Sequence, residues 1–398
     1  MLYSVFLCYK QVFRKLWLSS PLHVRARALA SPCPGTHKSI PKACCRYQAT
    51  DTLQMAYLSP VYWSEVDNHT EKFLRDVMGL LPWKEKTQPL MLAPMQGLTN
   101  EALRSCFIER YHPDIVFTEF VRVQTQSRKR IARAELAEIK THSAQTPLVV
   151  QLIGHDAVSL SIAAEEVQAA GCRHVNLNLG CPYGRMTTGA TGGELLNYPE
   201  KLPALLKALR QTVCGSFSVK CRAGYDDPRQ VFDLLSLYEE TGVDYVILHP
   251  RTVQQKYSGI ADHDLTREAV KKTSIPVIAN GDINNAEMGL SLLSEGGVSG
   301  LMIGRGALAD PLLFQRLRRT QSSEPDERQL RAELAEFIID LIPRYLTKFC
   351  GERQALMKLK DVLNFIPYYN LQRDLGKLKR TTSMTRFRTL LDKYFLLT

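Results

Sequence analysis

The chain has 398 residues, 45% hydrophobic and 23% charged, the balance of a globular protein rather than a disordered or collagen-like one. No run of 18 apolar residues occurs, which excludes a membrane-spanning helix. The net charge of +11 divides as +8 in residues 1–50, +8 in residues 341–398 and −5 between them, and a mildly acidic body with basic ends points to a polyanionic partner.

Residues 1–85 differ from the rest. The stretch MLYSVFLCYKQVFRKLWLSSPLHVRARALA is basic, acid-free and partly apolar, as a mitochondrial transit peptide is, and Lys10 breaks its apolar run in a way that argues against a secretory signal. The simpler expectation is an N-terminal extension that is disordered or an over-extended start, with translation from Met55 or Met91 and a cytoplasmic location. Four of the ten cysteines lie in the first 50 residues; the rest are scattered, with no C-x-x-C and no Cys/His cluster at zinc spacing. A reducing compartment and no metal site are expected.

From residue 90 short apolar runs recur, each followed by an amphipathic helical stretch. They are LMLAPM (90–95), IVFTEF (115–120), LVVQLIG (148–154), HVNLNLGCP (174–182), FSVKCR (217–222), YVILHPR (245–251), PVIANGDI (276–283) and GLMIGRGAL (300–308). Several are apolar at nearly every position, as strands buried on both faces are. One helix is expected from an N-cap at Asp156 to a terminating Gly171. Eight strand–helix units predict an α/β fold, a (β/α)8 TIM barrel over residues 86–319. A doubly wound sheet is the alternative, but no G-x-G-x-x-G follows a strand.

The polar linker QSSEPDE (321–327) then leads into a small all-α helical domain, residues 325–398. Leu330, Leu334, Phe337, Ile338 and Leu341 share one helical face, Leu356, Leu359, Leu363 and Ile366 another, and Met384–Phe395 predicts a third helix. Arg353, Lys358, Lys360, Arg373, Lys377, Lys379, Arg380, Arg386 and Arg388 make this region basic. Each alone reads as a solvated charge, but together they suit an RNA or DNA backbone.

In a barrel the active site lies at the C-terminal strand ends. Those ends carry Pro94-Met95-Gln96-Gly97, Gln151, Asn178 with Gly180-Cys181-Pro182, Lys220 with Arg222, His249 with Arg251, Asn280-Gly281-Asp282 and Gly304-Arg305-Gly306. The glycines and Arg305 after the last two strands suit a phosphate. Lys220 suits the flavin edge where reduction places negative charge, and Gln151 can both donate and accept at the opposite edge. Together they describe an FMN site, although a lone barrel lysine could equally form a Schiff base. Cys181 sits in a loop rather than a packed strand. A thiol there is ordinarily protonated near neutral pH and can act as a general acid, whereas Cys106, Cys172, Cys214 and Cys221 read as small buried hydrophobes.

The string NLNLGCPYGRMTTGATGGELL, with APMQGLT, VKCRAG, LHPRT, ANGDI and MIGRGAL around it, resembles the tRNA-dihydrouridine synthase family over roughly residues 90–315. The resemblance implies FMN-dependent reduction of the C5–C6 bond of tRNA uridines with NADPH as reductant. It makes Cys181 the acid that protonates C5 and places FMN against Pro94, Met95, Gln96, Gln151, Lys220, His249, Asn280, Gly281, Asp282, Gly304 and Arg305. It sets Asn178 and Arg222 against the flipped-out uracil and has the helical tail grip tRNA. A monomer without membrane association is expected beside it. Gly189-Ala190-Thr191-Gly192-Gly193-Glu194 departs from the denser glycine run usual after the catalytic loop. Three other readings stand beside it: an FMN barrel oxidoreductase acting on a free small molecule, a non-catalytic tRNA-binding protein and, last, a metabolic barrel without flavin.

Overall fold

The computed structural model describes residues 81–396 apart from 85, 143–144, 184, 187–188, 319–324 and 367–368, all within one compact unit, Leu58–Thr398. The N-terminal extension expected over 1–85 lies outside the described residues up to position 80, as does most of the linker. Just before the first strand, Leu81 and Trp83 pack against the core, the Trp83 ring 4.8 Å from Tyr245.

The strands are Leu90–Leu92 (β1), Ile115–Phe117 (β2), Val121–Arg122 (β3), Leu148–Ile153 (β4), His174–Leu179 (β5), Arg185–Met186 (β6), Gly189–Ala190 (β7), Ser216–Arg222 (β8), Tyr245–His249 (β9), Val277–Asn280 (β10) and Gly300–Ile303 (β11). Parallel pairing runs β1, β2, β4, β5, β8, β9, β10, β11 and returns to β1 through Leu90↔Leu301, which closes the cylinder. The expected (β/α)8 barrel is therefore what the chain forms. Its interior strands are apolar because both faces are covered; Met91, Val149, Val175, Val219, Val246 and Ile278 are fully buried.

The second stave is broken, where the sequence reads as one run. β2 pairs with the start of β4 (Val116↔Leu148) and β3 with its end (Val121↔Leu152). At the break Thr118 Oγ1 accepts the Gln151 N–H (3.1 Å) and Glu119 Oε2 accepts the Gly97 N–H (3.0 Å). The side chains at the interruption are engaged sideways instead of continuing the ladder.

Helices Glu101–Cys106 (α1), Arg133–Thr141 (α2), Ala157–Ala169 (α3), Leu202–Thr212 (α4), Gln230–Glu240 (α5), His263–Lys272 (α6) and Ala286–Ser294 (α7) cover the strands, and Arg305–Ala309 (α8) and Leu313–Arg318 (α9) follow β11. The predicted cap of α3 is present: Asp156 Oδ2 accepts the Ser159 N–H (2.7 Å), and Gly171 takes a φ of +101° just past the helix.

The C-terminal region is helical: Glu327–Lys348 (α10), Glu352–Leu363 (α11), Gln372–Lys379 (α12) and Met384–Leu391 (α13). The two predicted apolar faces are buried, and they do not form a separate core. Phe337 of α10 packs on Phe107 (5.6 Å) and Tyr111 (5.8 Å), and Phe107 meets Phe314 of the barrel (6.0 Å). Each fully buried ring contributes about 2–3 kcal/mol, so the aromatic cluster joins the two regions firmly. Arg344 adds an ion pair to Glu109 (2.6 Å).

Candidate active site

The loop after β5 is fixed from both sides. Asn178 Oδ1 accepts the N–H of Gly180 (3.0 Å) and of Cys181 (2.9 Å), while Arg222 Nε donates to the Gly180 carbonyl (2.9 Å). The Cys181 carbonyl in turn accepts the Gly193 N–H at 3.0 Å. A methyl group on Gly192, whose φ is +61°, would sit 3.1 Å from Cys181 Cβ, and one on Gly193 would sit 2.7 Å from Val253. The departure noted in this stretch thus keeps the two glycines that the Cys181 backbone requires. Cys181 itself is half-buried.

Behind this loop the barrel interior holds a ladder of amides. Gln151 Nε2 donates to Asn176 Oδ1, Asn178 Nδ2 donates to Gln151 Oε1, and Asn176 Nδ2 donates to Ser218 Oγ, each at 2.8 Å. Both ends of Gln151 are thus engaged within the protein, and its side chain is 1% exposed. Asn178 is likewise turned inward.

Across the mouth stands a cluster of cations. Lys220, at the end of β8, has no hydrogen-bond partner among the described residues; burial, and then Arg222, pull its pKa down to about 8. Burial and the surrounding charges of Lys220, Arg222, Arg251 and Arg305 hold His249 neutral. Arg251 Nη1 lies 3.1 Å from His249 Nε2; since the guanidinium can only donate, Nε2 accepts and Nδ1 carries the proton. Asp282 is the carboxylate among these groups. It takes a two-pronged bond from Arg251 (3.1 and 2.5 Å), another from Arg305 (2.9 Å), and accepts the Ala261 N–H (2.9 Å). Its carboxyl is held below the usual range although burial opposes this, because the Arg251 bonds and the Ala261 N–H favour the anion.

The remaining candidates line the same rim. Asn280 Nδ2 donates to the Met302 carbonyl (2.8 Å). Gly281 has a φ of +112°, and a methyl group there would stand 2.8 Å from His249 Cδ2, so only glycine lets the imidazole lie against that turn. Gly304 faces the Met95 sulfur. Pro94 and Met95 are half-buried, Gln96 is exposed, and the turn closes through Met95 N–H to Thr99 Oγ1 (2.7 Å).

The structure therefore brings Lys220, His249, Arg222 and Arg305 together and places Cys181 within electrostatic reach of Lys220. It commits Asp282 to two arginines, Gln151 to Asn176 and Asn178, and Asn178 to Gln151 and the Cys181 loop. Arg251 is a central member that stood in the sequence as the last residue of LHPR without a role of its own. Glu119 and Lys358 also belong here: Gly97 is held at its N–H by Glu119 and at its carbonyl by Lys358 Nζ of α11 (3.2 Å). Of the basic residues predicted to face a polyanion, Lys358 bonds the Gly97 carbonyl and pairs with Asp361 (3.2 Å), Lys360 bonds the Thr381 carbonyl and Lys377 pairs with Asp374 (2.9 Å). Arg353, Arg373, Arg380, Arg386 and Arg388 are exposed.

Residues 91–392 match the family model described as dihydrouridine synthase (Dus). A Neisseria meningitidis serogroup B protein named tRNA-dihydrouridine(16) synthase is 30% identical over 290 residues, 71% of this chain and 86% of that one. A Haemophilus influenzae protein of the same name is 35% identical over 244 residues, 59% of this chain and 78% of the other. A Rhodobacter capsulatus protein named probable tRNA-dihydrouridine synthase is 32% identical over 229 residues, covering 56% and 68%.

Proposed function

Because the chain belongs to the dihydrouridine synthase family, we propose that it reduces the C5–C6 double bond of uridine in tRNA, with FMN as cofactor and NADPH as reductant. The observation that carries the cofactor assignment is Lys220, a half-buried cation whose ammonium has no partner among the described residues, beside Arg222 and next to a neutral His249 on which Arg251 and Arg305 also act. An ammonium held there beside a second cation is costly unless an anion joins it. FMN fits, since its phosphate and its reduced ring are both anionic.

In this reading Arg305, with the Gly304 backbone and the Asn280–Asp282 turn, holds the phosphate, and Asp282 fixes the guanidinium forks of Arg251 and Arg305 in place. Lys220 would serve the negative charge that the ring gains on reduction. Pro94, Met95 and Gln96 of the first loop would help hold the ring, His249 would offer its Nδ1–H, and Gln151 would offer whichever lone pair and N–H the amide ladder leaves over. FMN, when bound, would supply hydride chemistry for reduction of the uracil double bond. The Sγ–H of Cys181 supplies the proton at C5, leaving a thiolate that solvent reprotonates. Asn178 and Arg222 set the position of that thiol. Arg222 Nη2, without a partner among the described residues, remains for the uracil.

A base inside folded tRNA cannot reach a barrel mouth, so the target uridine must be extruded. The exposed arginines of the helical region suit the tRNA backbone.

The test is an absorbance spectrum of the purified protein, then incubation with NADPH and unmodified tRNA and mass spectrometry for dihydrouridine. A flavin band and new dihydrouridine are expected. Cys181→Ala should keep the band and slow product formation by about 10²–10⁴. Flavin without tRNA reduction would favour a small-molecule oxidoreductase, and a colourless protein that binds tRNA a non-catalytic binder.

A further inference from the structure

The barrel carries a second basic surface that the helical region does not account for. Between Phe120 and Ala134 the chain reads FVRVQTQSRKRIARA, five cations and no carboxylate, in a part of the protein whose net charge is otherwise negative. The segment leaves the C-terminal end of β3, so it rises on the same end of the barrel as Cys181. Val123 lies beside Gly154 at the end of β4, and the next residue, His155, packs against Gly189 in the excursion that follows Cys181. The loop is therefore part of the rim that a macromolecular substrate must cross.

It is built rather than loose. Arg130 turns inward, and its Nη1 bonds the carbonyls of Gln124 (3.2 Å), Thr125 (2.7 Å) and Ser127 (2.6 Å). The Gln124 N–H returns to the Arg130 carbonyl at 2.9 Å. Glu166 of α3 clamps the base of the loop by accepting the N–H groups of Arg130 and Ile131, each at 3.1 Å. One arginine thus acts as an internal strut, and its neighbours are presented outward. Arg122, Arg128, Lys129 and Arg133 are exposed, and none is in an ion pair among the described residues. Arg133 is also the first residue of α2, where the helix dipole disfavours a cation. A cation kept at that position, on a preorganised loop whose exposed cations are in no ion pair among the described residues, suits an external anion.

We propose that Arg122, Arg128, Lys129 and Arg133 form a phosphate-backbone contact for the RNA substrate on the barrel rim, separate from the helical region. The proposal rests on the tRNA reading above and adds a second anchor to it. With contacts on the barrel and on the helical region, the polynucleotide bridges the mouth instead of pivoting on one attachment, and the base between the anchors is held over Cys181. The contact is electrostatic and reads no sequence.

The test uses the flavin-loaded full chain. Binding to unmodified tRNA is measured from 50 to 300 mM salt, together with kcat and KM for dihydrouridine formation. Removing one phosphate-binding cation flattens the slope of log affinity against log salt by about 1, so R128A/K129A should flatten it by about 2, raise KM for tRNA and leave kcat and NADPH oxidation unchanged. Because both side chains are exposed, the fold is not at risk. A control pair on the outer helices, K207A/K271A, should leave slope and KM alone. An unchanged slope in R128A/K129A, or equal flattening in the control pair, would overturn the rim contact while the tRNA reading stood. A wild-type chain that binds no tRNA would overturn both.

Discussion

Asn178 holds Cys181 by the backbone: its Oδ1 accepts the Cys181 N–H at 2.9 Å and the Gly180 N–H at 3.0 Å, while its Nδ2 ties back to Gln151. Replacing it with alanine leaves two N–H groups and one amide oxygen without partners, at about 1–3 kcal/mol for each one that stays buried. Asn178→Ala should therefore lower the melting temperature and slow dihydrouridine formation. Asn178→Asp keeps the acceptor and should preserve the loop while losing the bond to Gln151. Equal loss in both variants would show that the Oδ1 acceptor is not what matters.

Lys220 predicts opposite effects on stability and on cofactor retention. A half-buried ammonium without a partner among the described residues strains the cofactor-free protein, so Lys220→Met should raise its melting temperature, by about 2 °C for each kcal/mol of relief. The same variant should lose flavin on gel filtration. A variant that melts lower and keeps its flavin would remove the case for an anion beside Lys220.

Three histidines set the acid limit of the cofactor-free fold. His249 is held neutral chiefly by burial, then by the four cations; burial first and then Arg173 bring the pKa of His174 to about 4; that of His263 is lowered mainly by burial. Each folded value lies below the unfolded one, so the unfolded chain takes up protons as pH falls through 6.5 and the folded chain does not. The stability contributed above that pH is lost below it, at about 1.4 kcal/mol per pH unit for each such group until its folded value is reached. Denaturation midpoints should fall between pH 7 and 5, and His249→Asn should make that fall shallower. Parallel curves for the two proteins would contradict the assignment.

Gly281 combines a positive φ with a close approach to His249. Gly281→Ala asks for an unfavourable φ and pushes a methyl group against the His249 ring. It should weaken FMN affinity roughly tenfold or more, as expected when a site residue is displaced by a fraction of an ångström. Fluorescence titration with free FMN would measure it, and unaltered affinity would show that the imidazole can shift freely.

Much of the barrel was legible because each strand is an apolar run bounded by its own turn residues, and a strand buried on both faces has few ways to look like anything else. The strand ends were legible for the complementary reason: Lys220, His249 and Arg305 are polar where packing alone would not place them. What sequence could not show is which atoms those groups spend on each other. Gln151 and Asn178 lie 27 positions apart and share one hydrogen bond; Arg251 finds Asp282 across the rim. Composition marked Lys358 as a candidate for a nucleic acid, yet only the docking of α11 shows that its ammonium serves Gly97. The rim loop hid its strut, because Arg130 differs from Arg128 only in the direction it turns.

Gly97 sits at a seam. Glu119 holds its N–H and Lys358 of the C-terminal helices its carbonyl, and the Phe107–Phe337 pair lies beneath the same border. The first loop of the barrel thus takes its shape partly from residues more than 250 positions downstream. Tails in such a lineage cannot be exchanged like beads on a string. A borrowed helical region would have to bring its own lysine and its own aromatic ridge, or arrive together with the first strand–helix unit that was cut to receive it.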